Sequence, residues 1–175
     1  MFADSLPLFQ AISIIDKRSM QEYDLRLGVS LSKRKNATMA SHNGYLLIAD
    51  ISGYTAFLTS SEQDHANPIL HSLLTSLVEQ VGDPLHFWRM DGDAVLAYST
   101  SEEFPSGDVF LTICENIYNA FATRQRDIIT NTTCPCRACA NVENLDLKIM
   151  AHYGNFEEMK FGPVTDISGS DVILV

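Results

Sequence analysis

The run Tyr45-Leu46-Leu47-Ile48-Ala49-Asp50-Ile51-Ser52-Gly53-Tyr54-Thr55 constrains this chain more than any other stretch. Apolar, β-favouring residues end on a carboxylate and pass through Ser-Gly into an apolar-periodic segment. The run therefore predicts a buried strand, a tight turn and a helix N-terminus. That geometry suits an anion held beside a metal. A second acid follows in Trp88-Arg89-Met90-Asp91-Gly92-Asp93-Ala94-Val95, where Asp91-Gly92 signals a hairpin turn between two strand-like runs. Asp50 and Asp93 are the candidate pair.

The chain has 175 residues, of which 46% are hydrophobic and 19% charged, enough for one main domain with its own core. A net charge of −10 argues against a general nucleic-acid binder, which needs a cationic surface to displace counterions. An acidic protein that handles phosphates needs metal ions to do so. No apolar run reaches the roughly 20 residues that span a bilayer. Met1-Phe2-Ala3-Asp4 lacks the basic start of a signal peptide, so no membrane partner and a cytoplasmic location are expected.

Residues 1–43 carry six of the twelve Lys/Arg but only four of the twenty-two Asp/Glu, and so read as an extension and linker ahead of the main domain at 44–175. Within the extension, residues 23–31 alternate apolar with polar and predict one strand. Met39 offers an alternative start to the natural protein. At the other end, Asp171-Val172-Ile173-Leu174-Val175 stops in an apolar run, and the native domain is expected to continue past residue 175.

After the first strand, Ile51 to Ser60 predicts a short helix. Asn67-Pro68 predicts a helix start, followed by Ile69, Leu70, Leu73, Leu74, Leu77 and Val78 at helical spacing. Leu85–Met90 and Ala94–Ser99 form the predicted hairpin, and a helix follows from Val109 to about Ile129. Leu145–Tyr153 and Phe156–Phe161 read as two strands around Gly154-Asn155, with Gly162–Ser170 as turn.

At the motif level the chain resembles the catalytic domain of class III adenylate and guanylate cyclases over about residues 44–175. Asp50-Ile51-Ser52-Gly53-Tyr54-Thr55 is similar to the family's Asp-Ile-x-Gly-Phe-Thr signature. Arg89-Met90-Asp91-Gly92-Asp93-Ala94 is similar to its Lys-x-x-Gly-Asp-Ala, and Asp166-Ile167-Ser168-Gly169-Ser170-Asp171-Val172 to its Asp-x-x-Gly-x-x-Val. The Cys-x-Cys-x-x-Cys insert further resembles a subset of bacterial cyclase-like domains. The implied fold is α/β (α+β), a ferredoxin-like cyclase fold with a largely antiparallel central sheet and packed helices.

The resemblance implies two Mg²⁺ or Mn²⁺ ions on Asp50, Asp93 and the Ile51 carbonyl, hard oxygen ligands for hard cations. It implies phosphate contacts from the amides of Gly53, Tyr54 and Thr55, and base recognition by Arg89 and Asp166. It also implies a purine nucleotide shared across a homodimer, with cyclisation of a nucleoside triphosphate to a cyclic monophosphate and pyrophosphate as the reaction. Three departures weigh on catalysis. Arg89 replaces a Lys, Ile173 stands where an Asn orients the ribose, and the transition-state Arg is expected two residues past Val175. The alternative is a catalytically inactive cyclase-like sensor or protein-interaction module.

Cys134, Cys136 and Cys139 supply three thiolates for a tetrahedral Zn²⁺, with a redox-active loop and a plain loop as alternatives. Their spacing does not reveal a fourth ligand, for which His152 and Cys114 are candidates. His65, His71 and His86 read as ordinary helix or strand residues without a catalytic partner.

Overall fold

A computed structural model describes residues 39–104 and 106–173; the strand expected at 23–31 lies outside them. The elements are β1 (Met39–Ser52), α1 (Tyr54–Ser60), α2 (Gln63–Val78), β2 (His86–Asp91), β3 (Ala94–Thr100), α3 (Gly107–Asn131), α4 (Arg137–Ala140), a 3₁₀ turn at Val142–Asn144, β4 (Asp146–Phe161), β5 (Val164–Ser168) and α5 (Ser170–Ile173). The sheet order is β2-β3-β1-β4-β5, antiparallel throughout. With α1–α2 and α3 as the crossovers, β1 to β4 make the ferredoxin-like arrangement, and β5 adds an edge.

Within the apolar run from Tyr45 to Ala49, Leu46, Leu47 and Ala49 are buried and Tyr45 and Ile48 half-buried, because β1 packs on both faces. Leu47, Ala49 and Ile51 point to the helices and pack in one cluster with Leu73, Leu77, Ile117 and Phe121. Leu46 points to the other face, where it packs with Tyr98, Phe156 and Ile167, flanked by Trp88 and Val172. Each fully buried large apolar side chain contributes about 1.5–3 kcal/mol relative to exposure.

Several elements differ from their sequence-based outlines. Helix α1 begins at Tyr54 rather than Ile51, because β1 stays hydrogen-bonded to β4 as far as Ser52. Helix α2 begins at Gln63, and Pro68 lies inside it rather than at its first turn. The earlier start buries Ala66 completely and lets Glu62, the residue before the helix, accept the Ala138 N–H at 3.1 Å; these contacts offset the one backbone bond that Pro68 cannot make.

Residues 145–161 do not form a hairpin at Gly154-Asn155. Asp146–Phe161 form one sixteen-residue strand, β4, held by fourteen consecutive pairings with β1 in which Gly154 lies opposite Gly44. Glycine here marks close approach within a sheet, not a turn. Residues 164–168, expected as turn material, form the edge strand β5, and the reversal falls at Gly162 with φ 64°.

The end of β3 is pinned by a carboxylate. Glu103 accepts hydrogen bonds from the Thr100 N–H and Oγ1 at 2.8 Å each, from Ser99 Oγ at 3.0 Å and from His86 Nε2 at 2.6 Å. Burial pushes its carboxyl up, but the donors from His86, Thr100 and Ser99 outweigh this and hold it down at about 2. The folded value lies below the ordinary 4.5, so ionised Glu103 stabilises the fold above pH 4.5, and that contribution is lost as pH falls toward 2. Thermal melts of wild type and Glu103→Gln should therefore converge over this acid window. A gap in Tm that stays constant from neutral pH down through it would refute the assignment.

Candidate functional site

The central strand β1 carries Asp50 to the point where its pairing with β3 ends, and the β2–β3 turn places Asp93 next to Ala94, the residue opposite Asp50. Asp50 pairs in register with Ala94 on one side and with Lys148 on the other. Register partners in an antiparallel sheet share a face, so Asp50 and Lys148 project together away from the helices, and Asp93 adjoins the Asp50–Ala94 pair. Pairing of β1 with β3 stops at Asp50, whereas pairing with β4 runs on to Ser52, which leaves the β3-facing side of Ile51 without a strand partner.

The electrostatics follow from this convergence. Burial pushes the Asp93 carboxyl above its ordinary value, and the neighbouring Asp50 and Asp91 carboxylates add to the rise. Among the described residues these acids do not close into a ligand set as the His65–cysteine group does, so what links them is charge repulsion, which a hard divalent cation placed among them would relieve. Asp91 and Lys148 are members of this group that the sequence reading passed over. In sequence Asp91 reads as a turn residue, and Lys148 carries no local signal because its position depends on the pairing of β1 with β4.

Gly53 turns the chain from β1 into α1 with φ 88°, and the first helical bond runs from the Phe57 N–H to the Gly53 carbonyl at 2.9 Å. The amides of Tyr54 and Thr55 thus precede the first intrahelical donor, the Phe57 N–H. Gly53 lies close under the 3₁₀ turn: a Cβ there would sit 3.0 Å from the Asn144 carbonyl oxygen.

Arg89 and Asp166 are linked through Trp88 rather than by direct contact. The Trp88 indole N–H donates to Asp166 Oδ1 at 2.7 Å, and the Arg89 guanidinium lies 4.3 Å from the centre of the Trp88 ring. Trp88 and Arg89, but not Asp166, border a cavity of about 220 Å³ that Leu46, Ile48, Asp91, Leu96 and Val172 also line.

A second group assembles behind the first. Cys134, Cys136 and Cys139, between α3 and β4, converge on His65 of α2, with all four candidate ligand atoms within 4.8 Å of one another. His65 Nδ1 lies 3.1 Å from Cys136 Sγ, 3.5 Å from Cys134 Sγ and 3.7 Å from Cys139 Sγ. The Cys139 N–H donates to Cys136 Sγ at 3.4 Å and, with His65, lowers the Cys136 thiol to about 7. Burial and the neighbouring Cys136 sulfur push Cys139 the other way, to about 12. His65 is thus the fourth member that cysteine spacing did not reveal. Neither His152, on β4 near Asp171, nor Cys114, on α3, belongs to the cluster.

An antiparallel sheet of this order, backed by helices on one face, is the fold of adenylyl and guanylyl cyclase domains. Over 79% of this chain the fold matches a bacterial light-regulated adenylyl cyclase (TM-score 0.61, 14% identity, 39% of that chain). Over the same share it matches the guanylyl cyclase Cya2 (TM-score 0.60, 12% identity, 68% of that chain). It also matches a class III adenylyl cyclase-like ATP-binding protein from Pseudomonas aeruginosa (TM-score 0.61, 21% identity, 79% of this chain and 32% of that one). Within that fold the chain belongs to the family described as "Protein of unknown function (DUF2652)", which matches residues 70–175. It is also 29% identical over 108 residues to the uncharacterized protein Rv2561/Rv2562 of Mycobacterium tuberculosis (strain ATCC 25618 / H37Rv), covering 58% of this chain. The chain spans about half the length of that curated relative, 49%. No described helix is long and apolar enough to cross a membrane.

Proposed function

We propose that this chain binds a purine nucleoside triphosphate with divalent metal at a homodimer interface, in a cyclase-like signalling role. The observation that carries the reading is that Asp50 shares its sheet face with Lys148, opposite the helices, and that Asp50 and Asp91 both raise the neighbouring Asp93 carboxyl. Asp50, Asp93 and the Ile51 carbonyl are the proposed holders of Mg²⁺ or Mn²⁺, which when bound would neutralise phosphate charge and polarise the phosphoryl group. Lys148 adds a cation on the same face. The Gly53, Tyr54 and Thr55 amides, ahead of the first helical bond, are the proposed phosphate donors.

Arg89 and Asp166 are the proposed base-recognition pair, with Trp88 fixing both. The adjoining cavity, about 220 Å³, is smaller than the roughly 300–1,000 Å³ of pockets that engulf a small ligand. A second copy facing this surface would supply the missing walls, which supports the dimer. One neighbouring fold is described as ATP-binding, in keeping with the substrate class. We further place the chain with cyclase-like domains that carry a Cys-x-Cys-x-x-Cys insert.

Cyclisation of the triphosphate, with release of pyrophosphate, is the reaction this arrangement would serve. A second reading, a non-catalytic cyclase-like module, is favoured by Ile173. It stands where the resemblance expects a ribose-orienting Asn, is 86% exposed and offers no hydrogen-bonding side chain.

Calorimetry of the purified chain with ATP or GTP, with and without Mn²⁺, together with chromatography of the incubated nucleotide, tests both readings. Metal-dependent binding is expected in either case. A cyclic product supports the enzyme, and binding without product supports the module. No binding of either nucleotide would defeat the proposal.

A further inference from the structure

We propose that His65, Cys134, Cys136 and Cys139 form a closed, structural zinc site that ties the first turn of α2 to the segment between α3 and β4. The argument starts from what one imidazole nitrogen can do. His65 Nδ1 has either one lone pair or one proton and so can make one good hydrogen bond, yet three sulfur atoms surround it at 3.1, 3.5 and 3.7 Å. Three-fold convergence on one nitrogen is unexplained as hydrogen bonding. It is the expected shape of a shared coordination sphere.

The distances agree with that shape. Zn–S bonds near 2.3 Å and Zn–N bonds near 2.0–2.1 Å at tetrahedral angles place sulfur and nitrogen ligands about 3.6 Å apart. The three separations bracket this value, and all four ligand atoms fit within 4.8 Å of one another. Soft thiolates with one imidazole select zinc over the hard cations suited to the aspartates. Four protein ligands leave no open position, so the site is structural and not catalytic.

The surroundings already hold the ligands in place. Glu62, immediately before α2, accepts the Ala138 N–H at 3.1 Å and the Arg137 Nε–H at 3.3 Å, clamping the same two segments a turn away from His65. The Cys139 N–H points at Cys136 Sγ. A disulfide between two of the cysteines would leave the third and His65 without a role, whereas one metal ion uses all four. The site also stands behind the β1–α1 turn, because the segment that carries the cysteines continues into the 3₁₀ turn whose Asn144 carbonyl abuts Gly53. The zinc site is independent of whether nucleotide binds.

The test uses the full chain isolated without added metal. Mass-spectrometric metal analysis should find about one zinc per chain, as a closed structural site retains its ion. Cobalt exchanged into the protein should show thiolate-to-metal charge transfer and strong tetrahedral d–d bands. His65→Ala should weaken zinc binding by at least about 100-fold and alter the cobalt bands, while His65→Cys should restore the metal with a four-thiolate spectrum. The proposal is overturned if the folded wild type lacks zinc and gives an octahedral cobalt spectrum. It is equally overturned if a folded His65→Ala keeps both affinity and spectrum. Should His65→Ala not fold, the wild-type cobalt spectrum decides: three-thiolate, one-nitrogen bands support the site and octahedral bands refute it.

Discussion

Replacing Asp50 with Ala is expected to abolish metal-dependent nucleotide binding, with affinity in Mn²⁺ falling by at least about 100-fold, or ~2.7 kcal/mol. Asp50 is the acid that β1 carries to the point where β3 pairing ends, and its loss removes one of the two carboxylates proposed to hold the ions. The fold itself should not suffer. Asp50 raises the Asp93 carboxyl by repulsion, so its removal relieves strain between like charges, and the metal-free variant should melt no lower than wild type. This split between intact stability and lost binding separates a ligand from a structural acid. Calorimetric affinities in Mn²⁺ equal to wild type would remove Asp50 from the site. Asp93→Ala should behave alike.

Gly44→Ala should be the most damaging of the small substitutions. A Cβ at Gly44 would overlap the Ser99 carbonyl oxygen and crowd the Thr100 Cα, both backbone atoms of β3 that cannot rotate away. The clash falls in the central strand, at the residue paired with Thr100 on one side and Gly154 on the other, so relief would require β1 to part from a neighbour. A loss of about 3 kcal/mol is expected, which for a domain of this size lowers Tm by roughly 6–12 °C. Gly154→Ala makes the contrast. Its Cβ would meet only side-chain atoms, the ends of Asp171 and His152 and the Asp171 Cβ, so Asp171 would have to shift and release the Asn155 N–H that it holds at 2.7 Å. Gly154→Ala should cost less than Gly44→Ala. Equal Tm values for the two would show that β1 is not wedged as described.

Much of the architecture was legible because it rests on local periodicity. The spacing of Ile69, Leu70, Leu73 and Leu77 placed the buried face of α2, and the helix expected from Val109 buries Phe110, Ile117 and Phe121 at the same kind of spacing. Asp91-Gly92 marked the β2–β3 turn. The failures share one cause, which is that tertiary pairing overrode a local signal. Gly154-Asn155 looks like a turn in isolation but is strand because β1 runs alongside it. Pro68 looks like a helix start but lies within α2, because contacts from Glu62 and Ala66 hold the preceding turn.

The candidate site divides in the same way. Asp50 and Asp93 could be singled out because each sits at a junction that local sequence announces, a strand running into Ser-Gly and a hairpin turn. Lys148 and His65 could not. Lys148 acquires meaning only from the register that sets it opposite Asp50. His65 lies 69 residues ahead of Cys134, on a helix whose own pattern makes it an ordinary exposed residue. Local backbone preference and apolar spacing are properties of neighbours in sequence, and these announced the helices, β1 and the β2–β3 hairpin and singled out two acids as candidates. Which distant side chains share a face or surround one point depends on how β1 pairs and where α2 begins, and that was decided only when the chain packed.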